Sequence, residues 1–312
     1  MERERLTAPR CRGNWGTLLL PINENESIDF DRLSDELDAL AAAGVDGIYS
    51  NGTAGEFHVQ TEDEFDRVSQ LLAEKCRRSG VLFQIGASHP VPATTIERIG
   101  RTKHLDPDAY QVILPDWVKV NSDEALVFLK RVAAIADPVP LVLYNPPHAK
   151  KVLQPEEYAA LAAEIPSLIS IKLLDGDDDW YRRMRPVSDK VAIFVPGHHL
   201  ATGVHQGVAS GAYSNVACIN PRAAQHWWQL MQTDINEALS IEQRIQTFFS
   251  QYIVPFAEQG YSNPALDKLL AAAGNWAAIG TRLRWPYRWI PIEEAGRVRK
   301  GAEKLLPGWF FR

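Results

Sequence analysis

The sequence predicts an α/β protein built as a (β/α)8 TIM barrel with a C-terminal helical subdomain. Short apolar runs alternate with longer amphipathic segments, and this alternation predicts parallel strands joined by helices. Eight such units fall within about 215 residues, a length typical of a closed barrel. The segment after the first run contains no G-x-G-x-x-G pattern, which argues against an open dinucleotide-binding sheet.

Each predicted strand is a short, mostly apolar run that ends near a turn signal. The strands are predicted at residues 16–20, 47–50, 81–86, 109–114, 141–144, 168–172, 191–195 and 211–214. The helices between them are predicted at 31–43, 62–79, 94–103, 122–135, 155–164, 178–187 and 200–209. Thr61 and Ser122 each precede acidic residues, so we predict that both are helix N-caps.

The strand pattern stops at about residue 222, and only helical patterns follow. We predict these helices at residues 223–232, 236–256, 264–273 and 292–306. We therefore divide the chain into a barrel, residues 1–221, and a C-terminal helical subdomain, residues 222–312.

The composition is typical of a soluble globular protein. The 312 residues are 46% hydrophobic and 23% charged, with a net charge of -6, which gives no reason to expect nucleic acid as a partner. Three scattered cysteines are too few for a disulfide framework. No apolar run approaches the ~20 residues of a membrane span, and the charged N-terminus does not resemble a signal peptide. We expect a cytoplasmic protein with no membrane partner.

Lys172 is the most informative residue, because it ends the predicted sixth strand and active sites of such barrels lie at the C-terminal strand ends. Burial in an apolar wall would lower the pKa of this amine and make it a nucleophile toward carbonyls. Its position equally allows a structural interpretation, in which the side chain extends to solvent and pairs with Asp175.

Other candidate residues lie at the ends of neighbouring strands. Tyr144, at the end of strand five, can pass protons near an imine on the adjacent strand, or can be an ordinary strand-end aromatic. The turn after strand two offers backbone N–H groups and a hydroxyl to a carboxylate. The candidate substrate-binding residues are Gly52, Thr53, Ala54, Trp117, His198, Tyr213 and Ser214.

Two acidic or histidine-rich stretches do not have metal-binding patterns. The run from Asp175 to Asp179 resembles the start of a calcium loop but lacks its glycine and glutamate. His198, His199 and His205 have neither zinc-finger nor metalloprotease spacing. We expect no metal site.

Three motifs together resemble one family. G-T-x-G-E after strand two, Y-N-x-P at strand five and I-K at strand six resemble the pyruvate-handling class I aldolases, typified by dihydrodipicolinate synthase and N-acetylneuraminate lyase. This resemblance implies that Lys172 forms a Schiff base, that Tyr144 relays protons and that Thr53 and its turn hold a 2-oxo acid carboxylate. It also implies a homotetramer that needs no cofactor.

The departures from the synthase pattern concern the proton relay and the second substrate. Ala54 replaces the second threonine, and Trp117 stands where the synthase has a relay tyrosine. Ala149 stands where the synthase has a carboxylate-binding arginine, and His198-His199 replace an acidic pair. The P-x-W-V-K segment resembles the hydratase-aldolase branch, which handles aromatic or bulky aldehydes, whereas the lack of the arginine is shared with the sugar-acid dehydratases of the family, and both branches stay open. The resemblance therefore implies a lyase other than the lysine-pathway synthase.

The leading hypothesis is a lyase that works through an imine on Lys172, by aldol cleavage or condensation or by dehydration of a 3-deoxy-2-oxo acid. Trp117 would shape the aldehyde side of the pocket. A second hypothesis is a 2-oxo-acid sensor or scaffold that kept the pocket and lost turnover. A third, a metal-dependent class II aldolase, would need a ligand cluster that the sequence does not offer.

Overall fold

A closed parallel barrel forms the centre of the molecule. The computed structural model describes residues 4–310, and within them eight strands pair in chain order, with β1 also pairing with β8. The strands are β1 Gly13–Thr17, β2 Gly47–Ser50, β3 Leu82–Gly86, β4 Ala109–Val112, β5 Leu141–Asn145, β6 Leu168–Leu173, β7 Ala192–Phe194 and β8 Ala209–Tyr213. The predicted (β/α)8 fold class is confirmed.

Helices connect the strands and continue beyond them. The barrel helices are α1 Phe30–Ala42, α2 Glu62–Ser79, α3 Pro92–Thr102, α4 Ser122–Ala136, α5 Pro155–Glu164, α6 Asp178–Ser188, α7 Leu200–His205 and α8 Asn215–Ile219. The C-terminal helices are α9 Pro221–Thr233, α10 Ile235–Tyr252, α11 Val254–Glu258, α12 Asn263–Gly274 and α13 Glu294–Leu305. The subdomain boundary after residue 221 remains a prediction.

The first strand begins three residues earlier than predicted. Gly13 and Trp15 pair with β8, and Trp15 and Thr17 also pair with β2. The apolar run that follows is buried outside the strand, and Leu18 donates its N–H to the Tyr49 carbonyl. The run was mistaken for the strand because burial alone does not distinguish a strand from the loop after it.

Three helix predictions are corrected. Asn121, and not Ser122, caps α4, with its side chain accepting a hydrogen bond from the Glu124 N–H. The predicted helix 236–256 is two helices, because Pro255 lies in the first turn of α11 and cannot continue the hydrogen bonding of α10. Helix α7 ends at His205, before Gly207, whose φ of +70° is left-handed. The predicted N-cap at Thr61 is confirmed, and Thr61 also forms a capping box with Glu64.

Aromatic rings fill the barrel interior. The Tyr213 ring lies 5.8 Å from Trp15, 4.6 Å from Tyr49 and 4.6 Å from Phe194, measured between ring centroids. A side chain at Gly47 would stand 2.6 Å from the Trp15 ring, so glycine is needed at that position. This aromatic layer forms the floor of the barrel mouth.

Candidate active site

Strand pairing places Lys172 between two aromatic residues. Lys172 is directly opposite Tyr144 on β5 and opposite Phe194 on β7. Residues opposite each other on adjacent strands point to the same side of the sheet, so the lysine and both rings point into the barrel. The side chain of Lys172 borders a cavity of about 310 Å³ at the C-terminal mouth.

Three tyrosine rings surround the amine. Lys172 Nζ lies 4.2 Å from the centroid of the Tyr144 ring, 4.8 Å from that of Tyr49 and 5.2 Å from that of Tyr213. It also donates a hydrogen bond of 3.2 Å to Tyr49 Oη. The π faces favour an ammonium group, whereas the lost hydration disfavours it.

The lost hydration has the larger effect on the protonation of this lysine. Burial lowers the pKa of Lys172 to about 8, although the nearby Asp267 carboxylate opposes this shift. An ordinary lysine has a pKa of about 10.4 and is almost wholly protonated at neutral pH. Lys172 therefore has a much larger neutral fraction, which is the form that attacks a carbonyl.

Tyr144 and the turn after β2 border the same cavity. Burial raises the pKa of Tyr144, and an interaction with the Thr53 hydroxyl opposes the shift. Thr53 and Ala54 both line the cavity. Gly52 begins this turn, at a position where a side chain would meet the Tyr49 ring at 2.7 Å. This packing explains why a glycine stands at position 52, and a contact with substrate is not needed to explain it.

His198 lines the cavity as a neutral imidazole. Burial lowers the pKa of His198 to about 4, with His199 adding to the shift. Its Nδ1 accepts a hydrogen bond of 2.9 Å from the Asn215 amide. The ring stacks on Phe249 at 4.8 Å. A neutral, fixed imidazole can orient a polar substrate group but cannot supply a positive charge for a carboxylate.

The remaining predicted residues lie in different places. Tyr213 lines the cavity, and its hydroxyl donates to Gln84 Oε1 at 2.7 Å. Ser214 is the N-cap of α8, where its Oγ accepts from the Ala217 N–H. Trp117 lies outside the residues that line the cavity, in a turn after β4, and its side chain is 83% exposed.

Several cavity residues were missed by the sequence reasoning. Thr17 was missed because β1 was placed three residues too late. Tyr49 lies within β2, three positions before Gly52, where the turn that was considered begins. Asn263 and Asp267 come from α12, in a part of the chain that was treated as a packing subdomain. No local sequence pattern marks a helical aspartate as facing a distant barrel.

A second cavity opens beside the first and shares Thr53, Tyr144 and Asn263 with it. Its volume is about 510 Å³. Within the described part of the chain, no lysine or arginine lines it, and burial lowers the pKa of its His58. Its walls include Phe57, His58, Ile113, Leu114, Ala149 and Tyr287. This second cavity is mainly apolar and adjoins the lysine cavity.

Residues 4–310 contain neither a candidate metal centre nor a candidate membrane-spanning helix. Groups of three or more His, Cys, Asp or Glu side chains that could hold a metal ion are absent from these residues. No helix among them is long and apolar enough to cross a membrane.

The fold and the cavity define a (β/α)8 barrel with a lysine at the mouth of its sixth strand. Residues 10–283 match the model of the dihydrodipicolinate synthetase family, and the chain belongs to this family. Its curated relatives include lyases, which supports lyase chemistry in general for this chain.

Among the curated relatives, the chain is 26% identical to trans-O-hydroxybenzylidenepyruvate hydratase-aldolase from Pseudomonas aeruginosa, over 99% of this chain and 95% of that protein. It is 32% identical to an uncharacterized DapA-like lyase from Thermococcus kodakarensis, over 52% of this chain and about half, 54%, of that protein. Among solved structures, it is similar to YagE from E. coli in complex with pyruvate. That match has a TM-score of 0.82 and 20% identity, and covers 95% of this chain and 98% of YagE.

Proposed function

We propose that the protein is a lyase that forms a Schiff base between Lys172 and a 2-oxo acid of the pyruvate type. The observation that carries this proposal is the Lys172 amine, whose pKa burial lowers to about 8 and which borders a cavity among three tyrosines. The imine that it forms is an electron sink, so the reaction needs no organic cofactor or metal.

Tyr144 is the proposed proton relay at the imine. Its ring lies 4.2 Å from Lys172 Nζ, and Thr53 interacts with its hydroxyl. When the amine adds to the carbonyl, the carbinolamine must lose water, and a nearby phenol can protonate the departing hydroxyl. Thr53 and the turn amides would hold the carboxylate of the 2-oxo acid.

The aldehyde that is joined to, or released from, the 2-oxo acid is proposed to be bulky and uncharged. The adjoining cavity is mostly apolar, and Ala149 lines it where the resemblance would place a carboxylate-binding arginine. The relation to a hydratase-aldolase over nearly the whole chain supports the same proposal. A lysine-pathway synthase, whose second substrate carries a carboxylate, fits this cavity poorly. Aldol cleavage or condensation and dehydration both remain open as the reaction.

Borohydride reduction in the presence of pyruvate tests the imine directly. The peptide that contains Lys172 should gain the mass of a reduced pyruvyl group, and a Lys172→Ala variant should gain none. Lys300→Ala, which removes an exposed lysine on α13, is the matched control and should be labelled like the wild type. Unlabelled wild-type protein would contradict the imine mechanism.

A second candidate function is a 2-oxo-acid sensor or scaffold that binds without turnover. It is favoured by Trp117, which stands where the synthase pattern has a second relay tyrosine and whose side chain does not line the cavity. A screen of apolar aldehydes and 3-deoxy-2-oxo acids, following pyruvate and water elimination, separates the two. Imine trapping with no turnover on any of them would favour the sensor.

We propose that the chain assembles as a homotetramer, as the family resemblance implies. Trp117 and Val118 support this, because their side chains are 83% and 74% exposed although both are large and apolar. Adjacent exposed apolar side chains are commonly covered in an assembly.

A further inference from the structure

Asp267 is a carboxylate in the lysine cavity that the proposed chemistry has not yet used. It lies on α12, and with Asn263, Leu266 and Leu270 of the same helix it lines the cavity that contains Lys172. Among the described residues that line this cavity, it is the one carboxylate. It is supplied by the C-terminal helices and interacts electrostatically with the lysine, which lies on a barrel strand.

The helix that carries Asp267 is held firmly at that position. The adjacent Lys268 is fully buried and pairs with Glu56 at 2.5 Å, at the end of the turn after β2. Its ammonium group also donates a hydrogen bond of 2.7 Å to the Arg282 carbonyl. This pair connects α12 to the turn that contains Thr53, so Asp267 is fixed relative to both the turn and the lysine.

The Asp267 carboxylate itself has no such partner. Within residues 4–310, no side chain forms an ion pair with it within 4.0 Å, and none forms a hydrogen bond with it. The charged or titratable groups near it are Lys172 on β6, Tyr49 on β2, Tyr144 on β5 and Cys218 on α8, with His198 across the same cavity. Burial raises the pKa of Asp267 to about 7, and Lys172 opposes the shift.

We propose that Asp267 is the catalytic acid and base for the C3 and C4 atoms of the 2-oxo acid. In cleavage, it accepts the proton of the C4 hydroxyl, the oxygen electrons form the aldehyde C=O, and the C3–C4 bond breaks. The electrons of that bond form the C2=C3 double bond while the C=N π electrons move onto the nitrogen, which gives a neutral enamine. Asp267 then returns its proton to C3, which restores the iminium, and water releases pyruvate and the Lys172 ammonium.

The other groups of the cavity are less suited to this step. Lys172 is occupied by the imine, and His198 is held neutral with a pKa lowered to about 4 by burial. Burial raises the pKa of Tyr49 and of Tyr144, so both are poor bases near neutral pH. A carboxyl group that titrates near the working pH can both accept and donate a proton. The inference rests on the proposed imine and adds the group that acts on the carbon atoms.

Proton exchange at the pyruvate methyl group tests this role without knowledge of the aldehyde. In deuterated water, the iminium loses a C3 proton to the base and regains deuterium, which is followed by NMR. The variants are Asp267→Asn, which keeps the shape but not the basicity, and Asp267→Glu, which keeps the carboxylate. Glu258→Gln, an exposed carboxylate on α11, is the matched control, and Lys172→Ala should abolish exchange.

We expect Asp267→Asn to slow exchange by about 10²- to 10⁴-fold, the usual contribution of a positioned acid or base, while borohydride still traps the imine. Asp267→Glu should recover part of the rate, and Glu258→Gln should match the wild type. Wild-type exchange per trapped imine should rise with pH through about 7, as Asp267 loses its proton, and this rise should vanish in Asp267→Asn.

Three outcomes would overturn the inference. If Asp267→Asn exchanges within threefold of the wild-type rate and the imine is still trapped, the acid/base role of Asp267 is rejected. The proposed imine on Lys172 is then unaffected. Loss of trapping together with exchange in a folded Asp267→Asn protein would assign the residue to imine formation instead. Absence of trapping in the wild type would reject the proposed function and this inference together.

Discussion

The environment of Lys172 opposes its charge in one respect and stabilises it in another. The tyrosine faces and the hydrogen bond to Tyr49 favour the ammonium, yet removal of water lowers its pKa to about 8. The free-energy cost of removing an ion from water into an apolar site can exceed the stabilisation that a few cation–π contacts provide. This residue therefore stays available as an amine while its position remains fixed.

The pH dependence of imine trapping follows from this shift. The neutral amine attacks the carbonyl, so the trapping rate at fixed pyruvate should rise as pH increases through about 8 and level off above it. The measurement is the labelled fraction at short times between pH 6 and 10, with Lys300→Ala as control. A midpoint near the ordinary lysine value of about 10.4 would show that the cavity does not perturb the amine.

Ala149 offers a test of substrate charge at the residue scale. Its side chain lines the apolar cavity, so Ala149→Arg would place a guanidinium where a carboxylate could be gripped by two hydrogen bonds. We expect the variant to use carboxylate-bearing aldehydes at least about tenfold better relative to aromatic ones, since one charge-assisted contact contributes about 1.5–3 kcal/mol. Ala149→Leu, which adds volume without charge, is the control. Equal preferences in both variants would contradict the proposed selectivity.

At the scale of elements, local chemistry decides where helices begin. Asn121 caps α4 because its Oδ1 reaches the Glu124 N–H at 2.9 Å, while Glu124 returns a bond to the Asn121 N–H. Ser122 is already inside the helix, and its hydroxyl donates to Glu157 on α5. Both residues are good caps by type, so the sequence alone could not choose between them.

The cap assignment predicts unequal costs of two neighbouring substitutions. Asn121→Ala should lower the free energy of unfolding by about 1 kcal/mol, because the first turn loses a satisfied N–H. Ser122→Ala should change it by less than about 0.5 kcal/mol, because Ser122 does not cap the helix and loses only a solvent-exposed hydrogen bond to Glu157. Urea unfolding of both variants measures the difference. A larger cost for Ser122→Ala would restore the original assignment.

A buried ion pair joins the turn after β2 to the C-terminal helices. Glu56 and Lys268 are 1% and 0% exposed, and Glu56 also accepts a hydrogen bond from the Arg284 N–H. Glu56 itself has a left-handed φ of +52°, which is unfavourable for a residue with a side chain. The motif glutamate is therefore explained by anchoring rather than by contact with a substrate.

Removing one partner of this pair leaves the other charge buried. Lys268→Met should destabilise the protein by about 3–5 kcal/mol, while the double variant Lys268→Met, Glu56→Gln should recover a large part of that loss. Urea unfolding of Lys268→Met, Glu56→Gln and the double variant gives a double-mutant cycle for the coupling between the two residues. Borohydride trapping of the imine checks that each variant keeps its native site. Additive losses in the double variant would mean that the two residues are not coupled in the native protein.

At the scale of the whole molecule, the candidate site belongs to both parts of the chain. Strands provide Lys172 and Tyr144, whereas the C-terminal helices provide Phe249, Leu266 and Asp267. The helices therefore do more than pack against the barrel, because they close one side of the cavity and add its carboxylate. The barrel positions the nucleophile, and the C-terminal helices complete its surroundings.

The proposed assembly has a direct test at this scale. Light scattering of the purified protein should give four times the 34.9 kDa of the chain. Trp117→Asp should lower that mass if the exposed tryptophan packs against a second copy, because burial of a charge there would be costly. Val127→Asp, at a separate exposed position on α4, is the control. A wild-type mass of one chain would contradict the tetramer.

Patterns local in sequence were enough to predict the barrel, its strand order and the place of Lys172. Hydrophobic runs, turn residues and helix signals depend on near neighbours, and strand alternation leaves few arrangements other than a closed parallel sheet. The three motifs around Thr53, Tyr144 and Lys172 were visible for the same reason, since each lies at a strand end.

Tertiary structure decided what surrounds that lysine. The contact between Lys172 and Tyr49 joins β6 to β2, which are not neighbours in the sheet, and the misplaced prediction of β1 hid Thr17. Asp267 is 95 positions away from Lys172 in the sequence, and no periodicity records that α12 lines the lysine cavity. The exposure of Trp117 likewise follows from a turn geometry that composition does not encode. The amino-acid sequence determined where the nucleophile stands, and long-range packing determined the charge, solvent and partners that it meets there.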